Sequence, residues 1–581
     1  MGLDFYKAKR GAPLSSATVI VAASDSLHPE RADYVCDGDD DATVIQAAID
    51  TIPEYGSLYL TGSLTLSSYV ETSSNNITIL GDAILNLANG ANCEFIRVSH
   101  NGITIKGLTF DGNVDNQTGG YAAIKLSAGV ENIEVEGCHF QDMWNAGVKG
   151  EGTADNYIVG VSVRDCTANH FRADASHFGG LVYLSYAEKV DISNLRTEDM
   201  GTTDSKIDSV KVIHSKEIQI SGIRGYEISA HHIFVGFGSE NIVISDILMH
   251  NKEIDGLESV CIEYAGDDTH DGTPKNKNVL VENVLQIMEA GGNNGVFVWT
   301  SDDVTINNCI VKVLSQPILN PFFRFRYLDD ATISNCIAIG LVYDYSSHYS
   351  VWQSNRVSLA GCHSLDSIVW GWTNPPLAGL WIIESNDITV ESCIFSNLPT
   401  QAILVGGGET NKRISIHDCI FVDAGMAGSP KYSIYIEANQ FNDAKIVDNL
   451  FVAVDSSSMR GMYLEDGNTN VTIKDNDFWG TFDNNTKIAW GSVTGLTVRN
   501  NTGYTTENSG TATIANGSTS VAVNHGLDVT PSDGDITVTP TGAWGAMTEF
   551  YIGNYTSTQF TIYADQDPGQ DVTFAWRAVV L

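Results

Sequence analysis

The chain has 581 residues and carries 32 Lys and Arg against 71 Asp and Glu, a formal net charge of −39. This acidic surplus disfavours nucleic acid and anionic membranes as partners, because both are recognised by clustered Lys and Arg. The hydrophobic fraction of 43% is sufficient for a large core, whereas 54 glycines and only 18% charged residues favour strands and tight turns. No apolar run approaches the about 18 residues of a spanning helix, so we expect no membrane insertion.

The first predicted element is a short helix near the N-terminus. The segment ADYVCDGDDDATVIQAAIDTIP (32–53) places Asp39, Asp40 and Asp41 where a helix begins. Carboxylates are favourable there because the first backbone N–H groups of a helix have no partner within it. Val44, Ile45, Ala48 and Ile49 then form an apolar face. We expect this helix to cap the first coil of the next domain, within an N-terminal segment of residues 1–55. No signal peptide is expected from the opening MGLDFYKAKRG, because no apolar stretch follows its basic residues.

A sequence repeat occupies most of the chain. Its template is apolar-x-apolar-x-[Gly/Asn/Asp]-apolar, as in IEVEGC, VSVRDC, VTINNC and ISIHDC. The final apolar position recurs 13 times between Leu108 and Leu450, at a mean spacing of about 28 residues, and seven of the 13 are Cys. Residues that tolerate a left-handed backbone precede 12 of them, which indicates a sharp corner after each strand.

A period of this length with strand-type alternation predicts stacked β-coils, over residues 56–505. Equivalent side chains of successive coils would then lie one above another, so the cysteines form an inward ladder of small apolar groups. A cysteine metal site and a disulfide framework are both disfavoured by the long, regular spacing. The repeat stops near residue 508, and alternating strands with Gly, Asn and Pro turns predict a separate β-sandwich-like module over 508–581.

The repeat resembles the right-handed parallel β-helix of the pectin-lyase-like superfamily over residues 30–505. The 32–53 segment, in turn, is similar to the DG-x-x-DD-x-x-x-IQ-x-AID segment that opens many phage tailspikes and related polysaccharide-acting proteins. The resemblance implies an all-β fold, a right-handed single-stranded parallel β-helix of about 13–15 coils with an N-terminal capping helix and a C-terminal β module. It further implies a polysaccharide partner, an extracellular or virion-associated location and a homotrimer. The galacturonan hydrolase and pectate lyase motifs are absent, so it implies no catalytic residue.

A second strand in each coil carries an unusual outward face. Alternation turns the third and fifth residues of these strands inward and the fourth outward. The predicted outward column has seven aromatic and four basic residues among its 13 members: Lys125, Lys149, Tyr183, Lys211, Phe234, Cys261, Phe297, Arg324, Trp352, Trp381, Leu404, Tyr435 and Tyr463. Aromatic rings suit the apolar faces of sugars. We therefore expect a polysaccharide groove; the alternative is that long loops cover these rings as ordinary packing.

Candidate catalytic groups open three consecutive strands of this sheet, namely Asp208, His231 and Glu258. Stacking would place Asp208 and Glu258 roughly 9–10 Å apart, near the upper end of the range for an inverting glycosidase. In this hypothesis Glu258 is the acid, Asp208 the base beside Lys211, and His231 a positioning or substrate-binding group. Glu263 lies on the same strand as Glu258. Predicted substrate-binding residues complete the site: Lys211, Trp299, Arg324, Arg326, Trp352 and Trp381.

Two other functions remain compatible with the sequence. A polysaccharide lyase would use Lys211, Arg324 or Arg326 to neutralise a uronate carboxylate, with Glu258 and Glu263 as possible Ca²⁺ ligands. A non-catalytic glycan-binding spike would use the aromatic face alone. A hydrolase needs no cofactor, and we predict no resident metal.

Overall fold

The computed structural model describes most of the chain. The described residues are 18–119, 121–172, 179–201, 207–251, 259–263, 274–289, 295–314, 320–340, 347–366, 378–408, 411–425, 432–454, 459–483 and 486–580. They fall into two compact units, Met1–Ser350 and Val351–Leu581. Apart from the C-terminal module, both units are built from β-strands that pair in parallel with the equivalent strand about one coil away, and the coils make about 13 turns. The predicted all-β parallel solenoid is confirmed.

Each coil of the first unit contributes to three sheets. Sheet A holds the strands of the repeat template, sheet B the strands after the ladder residue, and sheet C the strands predicted to carry the functional face. Sheet A consists of Ser57–Thr61, Thr78–Gly81, Thr104–Lys106, Glu131–Glu136, Ile158–Arg164, Ala187–Ser193, Lys216–Ser221, the first halves of Glu240–Asn251 and Asn276–Met288, and the second halves of Val296–Asn307 and Phe323–Ser334. Sheet B consists of Ser63–Leu66, Ile84–Leu87, Thr109–Asp111, His139–Gln141, Thr167–Phe171, Arg196–Met200, Arg224–Ile228, the second halves of Glu240–Asn251 and Asn276–Met288, Ile310–Val313 and Ile337–Ile339.

Sheet C of the first unit lies between sheet B of one coil and sheet A of the next along the chain. It consists of Val70–Glu71, Ile96–Val98, Tyr121–Leu126, Asn145–Glu151, Gly179–Ser185, Ile207–Ile213, Ile233–Gly236, Val260–Glu263 and the first halves of Val296–Asn307 and Phe323–Ser334. The inward residues of these strands, such as Val210, Val212, Ile233 and Val235, are completely buried.

The second unit repeats the three-sheet plan. Its sheet A consists of Asn355–Ala360, Asn386–Glu391, Asn411–His417, Phe441–Val447, Thr469–Lys474 and Thr497–Arg499. Its sheet B consists of His363–Leu365, Ile394–Leu398, Ile420–Ala424, Leu450–Ala453 and Asp477–Gly480. Its sheet C consists of Ser347–Trp352, whose last two residues lie in this unit, Ala378–Ile383, Gln401–Val405, Tyr432–Ile436, Arg460–Leu464 and Ile488–Trp490.

The C-terminal module consists of two three-stranded antiparallel sheets. One contains Glu507–Ile514, Val572–Val579 and Ile536–Pro540, and the other Ser520–Asn524, Gln559–Ala564 and Phe550–Gly553. Their inner faces share one core that includes Ile514, Phe560, Ile562 and Phe574. Two facing antiparallel sheets over a common core are a sandwich, as the alternating sequence predicts.

The predicted N-terminal helix is present at Ala42–Ile49. It follows two strands, Thr18–Ala23 and Tyr34–Cys36, with a 3₁₀ turn at Pro29–Arg31 between them. A second 3₁₀ turn, Val114–Asn116, lies further along the chain. Asp41 immediately precedes the helix, but its carboxylate does not cap it. It is buried and accepts the backbone N–H groups of Gly38 at 3.0 Å and Thr65 at 2.7 Å. The carboxylate therefore links the turn before the helix to the strand Ser63–Leu66. None of the helices in the described ranges is long and apolar enough to span a membrane.

The cysteine ladder is present at the predicted corner. The amide of Thr167 donates to the carbonyl of Cys138, and that of Arg196 to Cys166, so the ladder residues of successive coils lie side by side. The corner residue before each ladder position has the left-handed backbone that the Gly, Asn and Asp pattern predicts, for example Asp165 at φ 55° and Asn308 at φ 54°. All ten cysteines are free thiols, and all but Cys93 are buried.

The last rung of the predicted ladder is wrong by one residue. Leu450 pairs with Ile420, which lies after the ladder, and Asn449 occupies the ladder position instead. Its Oδ1 accepts the backbone N–H of Cys419 at 2.9 Å, and Asn476 and Asn501 repeat this arrangement in the following coils. The repeat template has an apolar residue at this position, and so it does not identify the asparagine. An asparagine is tolerated because its amide bonds to backbone groups of the neighbouring coils, so no polar atom is left unpaired.

Replacing Asn476 tests this asparagine ladder. Its Oδ1 accepts the backbone and side-chain N–H groups of Asn449, and its Nδ2 donates to the carbonyl of Ile446. We expect Asn476→Ala to lower the free energy of unfolding by about 2–4 kcal/mol, because buried groups lose their partners. Thermal or urea unfolding followed by circular dichroism measures the change. The exposed Asn516 is the matched control, and an unfolding free energy equal for Asn476→Ala and Asn516→Ala would contradict the role given to the ladder.

Candidate functional site

The outward column of sheet C follows the predicted register in the first unit. Consecutive members pair directly across neighbouring strands: Lys125 with Lys149, Lys149 with Tyr183, Tyr183 with Lys211, Lys211 with Phe234, Phe234 with Cys261, Cys261 with Phe297, and Phe297 with Arg324. In the second unit Trp381, Leu404, Tyr435 and Tyr463 are paired in the same way. Within each unit, these basic and aromatic residues therefore lie in one row across the strands of sheet C.

Trp352 is not in line with Trp381, contrary to the prediction. The amide of Gln353 donates to the carbonyl of Ile383 at 2.9 Å. In a parallel pair of strands, the residue that precedes the N–H donor lies directly beside the residue that supplies the carbonyl. Trp352 precedes Gln353 and therefore lies beside Ile383. The sequence does not reveal this offset. Tyr349 and Val351 are both buried, so either could have been matched to the inward residues of the neighbouring strand.

The middle of the column is buried and does not form an open aromatic platform. Phe234 is 5% exposed, Phe297 6% and Cys261 not at all, and with Ile213 they form a small apolar cluster. Tyr183, Phe237 and Trp299 pack against this cluster while remaining partly exposed. Apolar groups on an outer face pack together when they are shielded from water. For these central rings, the structure thus agrees with the alternative that they are ordinary packing residues and not an open groove.

Cationic groups border the apolar cluster. Lys211 Nζ lies 4.7 Å from the ring centroid of Phe234 and Arg324 Cζ 5.3 Å from that of Phe297. Arg326 Cζ lies 5.0 Å from the ring centroid of Trp299. Such cation–π contacts hold the charges in fixed positions against the rings. Within an otherwise acidic chain, this part of sheet C is a local concentration of positive charge.

Asp208 and His231 form a closely bonded ionisable pair on sheet C. Oδ1 of Asp208 is 2.8 Å from Nδ1 of His231 and also accepts the backbone N–H of His231 at 3.0 Å. Oδ2 is 4.0 Å from Nζ of Lys211, and the Asp208 side chain is only 3% exposed. Asp208 is thus an anion enclosed by two cationic side chains. Its carboxylate is held against His231 and is not open to solvent.

The two adjacent histidines have opposite electrostatic environments. Burial alone would lower the pKa of His231, but Cys261 and Asp208, through charge and hydrogen bonding, raise it well above its ordinary value. His232 points into the coil, where burial lowers its pKa to about 3. His231 is therefore a proton donor at neutral pH, whereas His232 is a neutral core residue. The sequence does not distinguish them, and it also gave no sign of the contact between His231 and Cys261.

Tyr183 is a neighbour of the pair that was predicted only as a member of the aromatic column. It pairs with Lys211 on the adjacent strand. Burial raises the pKa of its phenol, and the negative charges of Glu151 and Asp208 act in the same direction. The phenol thus stays protonated and can donate a hydrogen bond.

The two predicted glutamates have different outcomes. Glu258 lies outside the described residues. Glu263 pairs with Gly236, and its Oε2 is 3.6 Å from Sγ of Cys261. By register, Glu263 is two strands and five residues away from Asp208, a distance of roughly 19 Å. Asp208 and Glu263 are therefore too far apart to act as acid and base on one glycosidic bond.

One group of side chains in the described residues has the spacing of a metal site. Ligand atoms of Glu391, His417 and Asp418 lie within 4.8 Å of one another in the second unit. The two carboxylates are exposed, as acidic side chains are over much of this chain, so the group alone does not indicate a metal.

The opposite states of the two histidines can be measured directly. By NMR titration of the 14 histidines, we expect His231 to remain protonated at pH 7 and His232 to remain neutral down to about pH 3. Because the folded pKa of His231 is raised, its contribution to stability is complete below about 6.5 and is lost as the pH rises through the folded value. Asp208→Asn should move this titration to lower pH. An unchanged titration would mean that Asp208 does not hold the charge of His231.

Comparison with known proteins gives a family for part of the chain. Residues 272–451 match the family model described as the right handed beta helix region. No curated protein matches the sequence.

Three solved structures illustrate the range of similar proteins. The A-modules of the mannuronan C-5 epimerases AlgE4 and AlgE6 of Azotobacter vinelandii are 14% and 12% identical, with TM-scores of 0.28 and 0.26 over 80% of this chain and 96% of each of theirs. A double mutant of the tailspike protein of E. coli bacteriophage HK620, in complex with a pentasaccharide, is 10% identical, with a TM-score of 0.37 over 93% of this chain and 90% of that one. At these values neither residues nor activity can be transferred. The strand pairings of the described coils are those of a parallel β-helix, and residues 272–451 of these coils match the right handed beta helix region.

Proposed function

We propose that the protein is an enzyme that cleaves an extracellular polysaccharide on sheet C of its first unit. The observation that carries the proposal is the buried contact of Asp208 with His231, which holds a proton donor on the outer face of the sheet beside Lys211. A charge pair of this kind is costly to bury, so it is a candidate for a functional group. The partly exposed Trp299, under Arg326, offers an aromatic surface for a sugar on the same face.

Hydrolysis is the reaction that the pair supports best. Cleavage of a glycosidic bond needs an acid to protonate the leaving oxygen, and the imidazolium of His231 is such an acid at neutral pH. Asp208 then orients the ring and stabilises its charge, and this role replaces that of the base predicted from the sequence. A carboxylate must also activate water. We assign this step to Glu258, which the sequence predicted to be the acid. This reaction requires no cofactor.

Elimination is the second candidate, and the cations favour it. Lys211 and Arg324 both lie against ring faces of the outward column, where they can neutralise the carboxylate of a uronate. The reaction also needs a base to remove a proton, whereas His231 is held in its acidic form. A lyase would therefore need another residue as the base, and bound Ca²⁺ would help only by neutralising the carboxylate. A non-catalytic glycan-binding protein, a homotrimer and a virion-associated location are further proposals that the resemblance to tailspikes supports.

The test is polysaccharide cleavage by the full chain and by two variants. On a panel of alginate, pectin, xylan and bacterial capsules, hydrolysis releases reducing ends alone, whereas elimination also gives the ultraviolet absorbance of an unsaturated product. We expect His231→Gln and Asp208→Asn to lower kcat by at least about 100-fold, because the first removes the proton donor and the second removes the anion that keeps it charged. The rate should fall as the pH rises through the raised pKa of His231.

His250→Gln is the matched control. His250 lies in sheet B, where its Nε2 is 3.1 Å from Glu289, and its replacement should leave kcat unchanged. Melting temperatures of all three variants show whether any loss of activity reflects unfolding. Full activity of a folded His231→Gln variant would remove this residue from the mechanism, and binding without product would favour the glycan-binding alternative.

A further inference from the structure

Three tyrosines form a stacked platform on sheet C of the second unit. The ring centroids of Tyr432 and Tyr463 are 5.1 Å apart, those of Tyr435 and Tyr463 5.9 Å, and those of Tyr432 and Tyr435 6.3 Å, each pair with planes 20° apart. Tyr435 and Tyr463 are direct partners on neighbouring strands and are partly exposed, whereas Tyr432 is nearly buried behind them. We call these residues the tyrosine platform.

Polar side chains with fixed positions surround the platform. Glu437 and Glu465 follow the paired residues Ile436 and Leu464, so they lie next to each other at the ends of the same two strands. Oε1 of Glu465 accepts the hydroxyl of Tyr435, and its Oε2 accepts the amide of Ala438 at 3.0 Å. Oε2 of Glu437 accepts the amide of Gly407 at 3.1 Å. Both carboxylates are thus oriented by the backbone at one edge of the rings.

A cation and a third carboxylate lie at the opposite edge. Arg460 Cζ is 5.5 Å from the ring centroid of Tyr432, and its Nε donates to Oδ2 of Asp483 at 3.0 Å. Burial raises the pKa of Tyr435, with the charges of Glu465 and Glu437 acting in the same direction, so its hydroxyl remains a donor. Among the described residues beside the rings, three carboxylates therefore accompany one guanidinium, and this set of groups is negative.

We propose that the tyrosine platform is a second glycan-binding site, which takes a neutral or amino sugar of the polymer and does not cleave it. Sugar rings place their C–H faces on aromatic planes, and their hydroxyls donate to oriented carboxylates such as Glu437 and Glu465. This negative set of groups repels a uronate and attracts a protonated amine. The inference rests on the proposed function in that it assumes a polysaccharide substrate, and it assigns the site's sugar class from charge.

The charge of this site differs from that of sheet C in the first unit. There Lys211, Arg324 and Arg326 lie against rings, whereas here Glu437 and Glu465 flank them. Each unit thus presents aromatic side chains with a different sign of charge on equivalent strands.

Binding of defined polymers by the full chain tests the inference. In isothermal titration calorimetry or affinity electrophoresis, xylan and chitosan oligosaccharides are compared with polygalacturonate. We expect Tyr463→Ala to weaken binding of xylan or chitosan oligosaccharides at least about tenfold, because the exposed stacking plane is lost. Tyr463→Phe should retain the affinity, and Glu437→Gln should weaken the binding of chitosan oligosaccharides more than that of xylan.

Tyr226→Ala is the matched control, because Tyr226 is a 38% exposed tyrosine in sheet B of the first unit. Equal affinities of wild type and a folded Tyr463→Ala variant would overturn the proposal, as would failure of the wild type to bind either xylan or chitosan oligosaccharides. His231→Gln separates the two proposals. If it stays fully active while Tyr463→Ala loses binding, the cleavage site is wrong and the tyrosine platform stands.

Discussion

The structure depends on parallel hydrogen bonding between successive coils. Each coil offers its backbone N–H and C=O groups to the next, and this fixes the register residue by residue. Like side chains then stack on like side chains, both inside and outside the coil. Thiols cover thiols at the ladder, and phenylalanines stack in sheet B, as Phe395, Phe421 and Phe451 do at 5.3 and 4.6 Å. The same register brings the charged and aromatic residues of sheet C together, although they are far apart in sequence.

The sequence was sufficient for most of the fold because the repeat is local. A strand, a left-handed corner and an inward side chain can be recognised within six residues, and the period of about 28 residues then predicts the stack. The prediction was wrong where the repeat changed chemistry, at Asn449, and where two buried residues could align one strand, at Trp352. In both cases the deciding contact, a hydrogen bond to the neighbouring coil, is not local in sequence.

The candidate site was less predictable than the fold. Register gave the neighbours of Asp208 and Lys211 correctly, because it depends only on the backbone. Whether a side chain on the outer face is open or covered depends on segments between the strands, and so the burial of Phe234 and Phe297 was not predictable. The role of His231 depends on its contacts with Cys261 and Asp208, both on neighbouring strands. Its sequence neighbour His232 faces the core and has the opposite protonation behaviour, since adjacent residues of an extended chain point to opposite sides.

The thiol column has a consequence for how this protein is made and how it fails. The seven ladder cysteines and the three others are all free thiols, so assembly of the coils requires no disulfide. While the coils stay closed, nine of the sulfurs are sealed from oxidants. Once heat opens the coils, these sulfurs can cross-link one chain to another, and the damage in air becomes permanent.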